Sequence, residues 1–116
     1  MVFDVVRGES LDHDLDLIFE FLITAAQEFG EDEQSAFVLA EQRLAEIEGA
    51  MRSLGGVPYQ GTLRPHLGER IRNVTKGRGV LYFDLDDEKR LVRILAVFFG
   101  GQDHEARILA RLLGEA

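Results

Sequence analysis

Arg72-Asn-Val-Thr-Lys-Gly-Arg-Gly79-Val-Leu-Tyr-Phe-Asp-Leu-Asp86-Asp-Glu-Lys-Arg-Leu91-Val-Arg-Ile-Leu-Ala-Val-Phe-Phe99-Gly-Gly-Gln-Asp-His104 is the stretch from which the fold is read. Runs rich in β-branched and aromatic residues, Arg70 to Val74, Gly79 to Leu85 and Leu91 to Phe99, alternate with polar clusters that favour turns. That punctuation reads as three antiparallel strands, the last two turning on Asp86-Asp87-Glu88-Lys89. The run from Leu91 to Phe99 is apolar almost throughout, as expected of an interior strand covered on both faces, with Arg93 the exception. Gly100-Gly101 should break it. Asp103 then suits the N-cap of a closing helix that packs Ile108, Leu109, Leu112 and Leu113 inward and turns Arg107 and Arg111 outward.

Upstream of the strands, residues 55–69 hold Pro58, Gly61, Pro65 and Gly68 without any period and read as a connecting loop. Before it stand two amphipathic helices. Ser10 precedes Leu11, Leu15, Ile18, Phe19, Leu22, Ala26 and Phe29, a spacing that lays one apolar stripe along a helix, with Asp12 and Asp14 at the positive end of its dipole. Gly30 closes it. Phe37, Ala40, Leu44, Ile47, Met51 and Leu54 repeat the pattern, and Gly55-Gly56 ends the second helix. The short connection makes the two an antiparallel hairpin. Val2 to Val6 completes the series as a first strand ending at Gly8. The expected architecture is α+β: an N-terminal strand, a two-helix hairpin packed on a small antiparallel sheet, and a short C-terminal helix.

At 116 residues the chain suffices for one domain over 1–116 with a single core. It contains no cysteine, which rules out disulfides, thiolate metal sites and a cysteine nucleophile. The first ten residues carry Asp4, Arg7 and Glu9 and do not form a secretory signal, and no apolar run approaches the roughly 20 residues of a membrane span. A cytoplasmic protein without membrane contact is expected. The net charge of −8 is unevenly spread. Residues 1–56 hold thirteen acids against three bases, whereas residues 57–116 hold eight acids against ten bases. An acidic molecule repels phosphate at long range, although a local basic patch can still bind on contact.

That patch is Arg64, Arg70, Arg72, Lys76 and Arg78. Arg70 and Arg72, two apart on one strand, are expected to leave the same face and grip an anion, or else to pair with acids of the same molecule. Tyr82 shares parity with Val80 and Asp84 and either stands beside this arginine face or is a half-buried strand tyrosine bonded to backbone, while Leu81, Phe83 and Leu85 point into the core. His104, at the start of the last helix, is a candidate for acid–base work. No metal-ligand spacing, nucleophilic serine constellation or phosphate-binding glycine pattern occurs, so neither metal nor cofactor is expected.

In its order of elements, and in Arg72-Asn-Val, Leu81-Tyr82-Phe83 and the block from Ile94 to His104, the chain resembles the RelE/ParE superfamily of type II toxin–antitoxin, or plasmid stabilisation, toxins. The resemblance spans nearly the whole chain. It implies a toxin held silent by a cognate antitoxin whose flexible segment wraps the sheet and helices, as a hetero-oligomer or with a homodimeric toxin. Members cleave ribosome-bound messenger RNA or, in the ParE-like branch, interfere with DNA gyrase by binding. The nuclease set would require cations on the sheet and last helix. Arg70 and Arg72 can stand at two sheet positions, but Gly79, Gln102 and Ile108 fall where further basic or acid–base residues are usual. The resemblance is therefore closer to the ParE-like branch, with Arg70, Arg72, Tyr82 and Arg93 as target or partner contacts. An endoribonuclease using Arg70, Arg72 and His104 is the alternative, and a non-toxic interaction protein of the same fold is a third.

Overall fold

The computed structural model describes residues 2–99 and 103–114. Its elements run β1 (Asp4–Arg7), α1 (Leu11–Glu28), α2 (Glu33–Ser53), β2 (Thr62–Leu63), β3 (Ile71–Lys76), β4 (Gly79–Asp86), β5 (Leu91–Phe99) and α3 (His104–Leu112). The five strands form one sheet in the order β1-β5-β4-β3-β2. β2 to β5 are antiparallel, as expected of the later chain. The first strand, however, lies parallel to β5, with Val5 opposite Val92, so the sheet is mixed. The hairpin between them is the crossover that a parallel pair needs, since no tight turn can join parallel neighbours.

The hairpin covers one face. Leu11, Leu15 and Ile18 of α1 and Ile47, Met51 and Leu54 around the end of α2 pack on Leu81, Phe83, Leu85, Val92, Ile94, Val97 and Phe99. The opposite face carries a smaller core of Ile71, Val80, Tyr82, Ala96 and Phe98 under Ile108 of α3. Two apolar faces account for the nearly continuous hydrophobicity of β5. Arg93 remains exposed on the part that α3 leaves bare.

A bulge in β5 changes which of its residues face which layer. Tyr82 lies opposite Ala96 and Phe83 opposite Ile94, which leaves Leu95 unpaired. The extra residue reverses the alternation, so Ile94 and Val97, three apart, both reach the hairpin core.

Several expectations are corrected. The loop over 55–69 contains β2, whose two residues pair with β3 through Thr62 opposite Asn73. Arg70 precedes β3 instead of opening it. Ser10 stands at the N-cap of α1 without a side-chain capping bond, whereas Asp32 caps α2 by accepting from the Ser35 N–H at 2.7 Å. Phe29, at the far end of the predicted stripe, is 91% exposed, and Phe37 is also exposed. The helix stripe is longer than the sheet that can cover it. In α3 only Ile108 of the four expected apolar residues is buried, and Arg111 turns inward while Leu109, Leu112 and Leu113 face solvent. The expected break at Gly100-Gly101 lies outside the described residues. No described helix is long and apolar enough to cross a membrane.

Candidate functional site

Burying one isoleucine is worth about 2 kcal/mol, too little to hold the nine residues of α3. Polar contacts at its two ends complete the attachment, and both have chemical content. At its start, the Asp103 carboxylate accepts from the Ala106 N–H at 3.4 Å and sets the first turn. His104 follows, with Nδ1 2.6 Å from the phenol oxygen of Tyr82. Tyr82 lies fully buried beneath α3, edge-on to Phe98.

Asn73 stands opposite Tyr82 in the sheet and bonds the same phenol. Burial pushes the Tyr82 phenol above its ordinary value, opposed by the Asn73 bond and by the positive charge of Arg64. A neutral phenol has one proton to give. At 2.6 Å the phenol and His104 Nδ1 share one hydrogen bond, whose donor depends on the imidazole tautomer. That contact engages Nδ1 and leaves Nε2 as the second polar atom of the His104 ring. Beside it Arg64 pairs with Glu105, and its buried Nε has no hydrogen-bond partner among the described residues. This corner suits an acceptor-rich group such as a carboxylate, a phosphate or a peptide carbonyl.

The other end of α3 plugs the sheet where β1 runs out. The Gly8 N–H donates to the Ile94 carbonyl at 2.8 Å, the last such contact along β5. Beyond the bulge, the Leu95 carbonyl accepts from Arg111 Nη1 at 3.1 Å, and the Val97 N–H donates to Asp14 Oδ2 at 3.1 Å. Arg111 and Asp14 join each other through two bonds, Nη1 to Oδ2 at 2.7 Å and Nη2 to Oδ1 at 2.8 Å. Asp14 is only 5% exposed. The hydrogen bond to Asp14 holds the Arg111 guanidinium above its ordinary value. Two side chains thus continue the hydrogen-bonding pattern of the missing strand. Neither was singled out in the sequence, because Asp14 has the position of an ordinary first-turn acid and Arg111 that of a surface cation.

The expected arginine pair is not one site. Arg70 is held by Asp84 through Nε at 3.1 Å and Nη2 at 2.9 Å, and its Nη1 lies 3.2 Å from Asp86. Those bonds, that to Asp84 first, raise its guanidinium above the ordinary value. Arg72 lies opposite Phe83, on the hairpin side of the sheet, where it donates to the Tyr59 carbonyl at 3.0 Å and stacks over the Tyr59 ring. Tyr82 belongs to the other side and is not beside Arg72, contrary to the expected placement. Arg93 lies opposite Asp84 in the sheet. The structure brings together Tyr82 and His104 of the predicted set, adds Arg64 and Asn73, and separates Arg72 from them. No cluster of three or more potential metal ligands occurs among the described residues.

No family model matches the chain. No curated protein matches it either. Solved structures do. A chain of the chromosomal ParDE TA system from P. aeruginosa superposes with a TM-score of 0.65 at 18% identity, over 85% of this chain and 97% of that one. A chain of the toxin–antitoxin complex RelBE2 from Mycobacterium tuberculosis gives a TM-score of 0.51 at 17% identity, over 85% of this chain and 99% of the other. The fold is RelE/ParE-like.

Proposed function

We propose that the chain is the toxin of a type II toxin–antitoxin pair, acting in the cytoplasm by binding a cellular target, DNA gyrase, and silenced by a cognate antitoxin. The shared fold with the ParDE and RelBE2 chains supports the toxin–antitoxin assignment. The observation that favours binding over cleavage is the state of Arg70. Phosphodiester cleavage needs cations free to meet the charge that develops in the transition state. Here Arg70 is committed to two carboxylates, and Arg72 is held over Tyr59. The contacts proposed for target or partner are Arg70, Arg72 and Arg93; Tyr82, fully buried, can act only through His104, which it holds on the other side of the sheet from Arg72.

One observation supports a second reading, an endoribonuclease. The Tyr82–His104 pair orients an imidazole, a group that as imidazolium can give a proton to a leaving oxygen. Induction of the chain alone in a bacterial host separates the readings. The first expects growth arrest, loss of gyrase supercoiling by the purified protein, intact messages, and rescue by the product of a neighbouring antitoxin gene. Normal supercoiling at doses that arrest growth overturns it. Cleaved messages that disappear with His104→Ala establish the second.

A further inference from the structure

We infer that the hollow between α2 and the β3–β4 turn is a binding site for a small anion carrying a diphosphate group. It lies on the hairpin side of the sheet, away from Tyr82 and His104, and does not depend on the toxin reading. Gly77 takes φ +61° and opens a two-residue turn that closes on the Lys76–Gly79 pair. Tight turns of this kind call for glycine there and fix the residues around them. Lys76 has the strand parity of Val74, which packs toward the hairpin, and Arg78 lays its guanidinium over the Phe99 ring at 5.5 Å. Arg43 comes from α2. The three cations, with Ile47 and Phe99, line a hollow of about 170 Å³ in which Glu46 is the one acid among the described residues.

Charge selects the ligand. In a molecule of net charge −8 carboxylates are plentiful, yet none of the ion pairs among the described residues uses Lys76 or Arg78. Arg43 meets Glu46 at 3.4 Å, with both side chains largely exposed. Three bases against one acid leave the hollow positive, and a concave site of one sign focuses its field on an ion inside it. Guanidinium groups match phosphoryl oxygens through paired hydrogen bonds, and the lysine adds a compact charge. A single carboxylate is too small to meet all three cations, whereas a diphosphate has the oxygens and the charge to do so. A long polyanion is disfavoured, because past the hollow it would run onto the acid-rich hairpin.

Calorimetry and amide NMR spectra of the full chain test this with inorganic diphosphate as the probe. It should bind at one saturable site, at least tenfold tighter than sulfate, and move the amide signals of Arg43 and residues 76–78. Lys76→Gln with Arg78→Gln should weaken binding at least tenfold, whereas Arg52→Gln, which removes an exposed cation elsewhere on α2, should leave it unchanged. Unchanged circular dichroism shows that these variants fold, and the spectra of the parent chain report the site without them. Adenosine triphosphate separates the sources of the group: tighter binding than diphosphate at the same amides assigns the site to a nucleotide, and weaker binding assigns it to the free ion. Absence of saturation, equal loss in Arg52→Gln, or signals that move at His104 or Arg70 instead overturn the inference, as does a thymidine oligonucleotide that binds residues 76–78 more tightly than diphosphate. Binding is read on purified protein, so a chain that fails to arrest growth can still pass, and one that arrests growth can still fail.

Discussion

Asp14 and Arg111 are the residues on which the arrangement of three elements turns. Removing one partner of a pair this buried leaves the other charge unpaired, and here it also deprives a strand carbonyl or N–H of its bond. The loss should be about 3 kcal/mol, at the lower end for buried pairs because Arg111 is 28% exposed. Arg111→Ala and Asp14→Asn should each lower stability by that order in denaturant unfolding, and combining them should cost much less than the sum. Additive losses would show that the two side chains act independently. The Tyr82–His104 contact at the opposite end of α3 should survive either change, because the Asp103 cap and the buried Tyr82 ring fix it locally.

Among the elements, the shortest strand depends on one close backbone approach. Gly61 takes φ +81°, and a side chain there would meet the Asn73 carbonyl of β3. Gly61→Ala should therefore cost more than about 1 kcal/mol and release β2, measured as faster amide exchange at Asn73, which faces Thr62. Exchange as slow as in the parent protein would refute the close approach. The helices differ in what holds their ends. α2 has a carboxylate cap at Asp32, whereas the start of α1 is fixed by packing of Leu11 and by the ion pair of Asp14. β5 is the element around which the layers meet: β1 and β4 flank it, the hairpin and α3 cover its faces, and its bulge decides which side chains meet which layer.

Over the whole molecule, stability should form a plateau bounded by two sets of groups. Asp32, bonded by Ser35, and Asp86, bonded by the Lys89 N–H, are held below the ordinary 3.8. Folding favours their charged forms, so their contribution is present above that value and is lost as pH falls through their lowered values. Tyr59, bonded to Asp87, and Tyr82, buried, are raised above the ordinary 10.0. Folding favours their neutral forms, so that contribution is complete below about 10 and is lost as pH rises through the raised values. Thermal midpoints against pH should fall at both extremes, with Asp32→Asn and Asp86→Asn flattening the acid limb and Tyr82→Phe the alkaline one. An acid limb unchanged in both aspartate variants would assign it to other groups. Local sequence made much of this molecule legible. A 3.6-residue period marked the two long helices, apolar runs between turn clusters marked β4 and β5, and a capping aspartate marked α3, because each signal is produced by neighbours a few residues apart. The acidic hairpin was equally plain, since charge is additive along a chain. Other features required distant groups to meet. The parallel seat of β1, the two-residue β2, the bulge at Leu95, the inward turn of Arg111 onto Asp14 and the assignment of Tyr82 and Arg72 to opposite sides of the sheet leave no periodic trace. Periodicity records that a side chain has an apolar or polar environment, whereas the identity of its partner is set by pairing across dozens of residues, where one extra residue in a strand exchanges the faces.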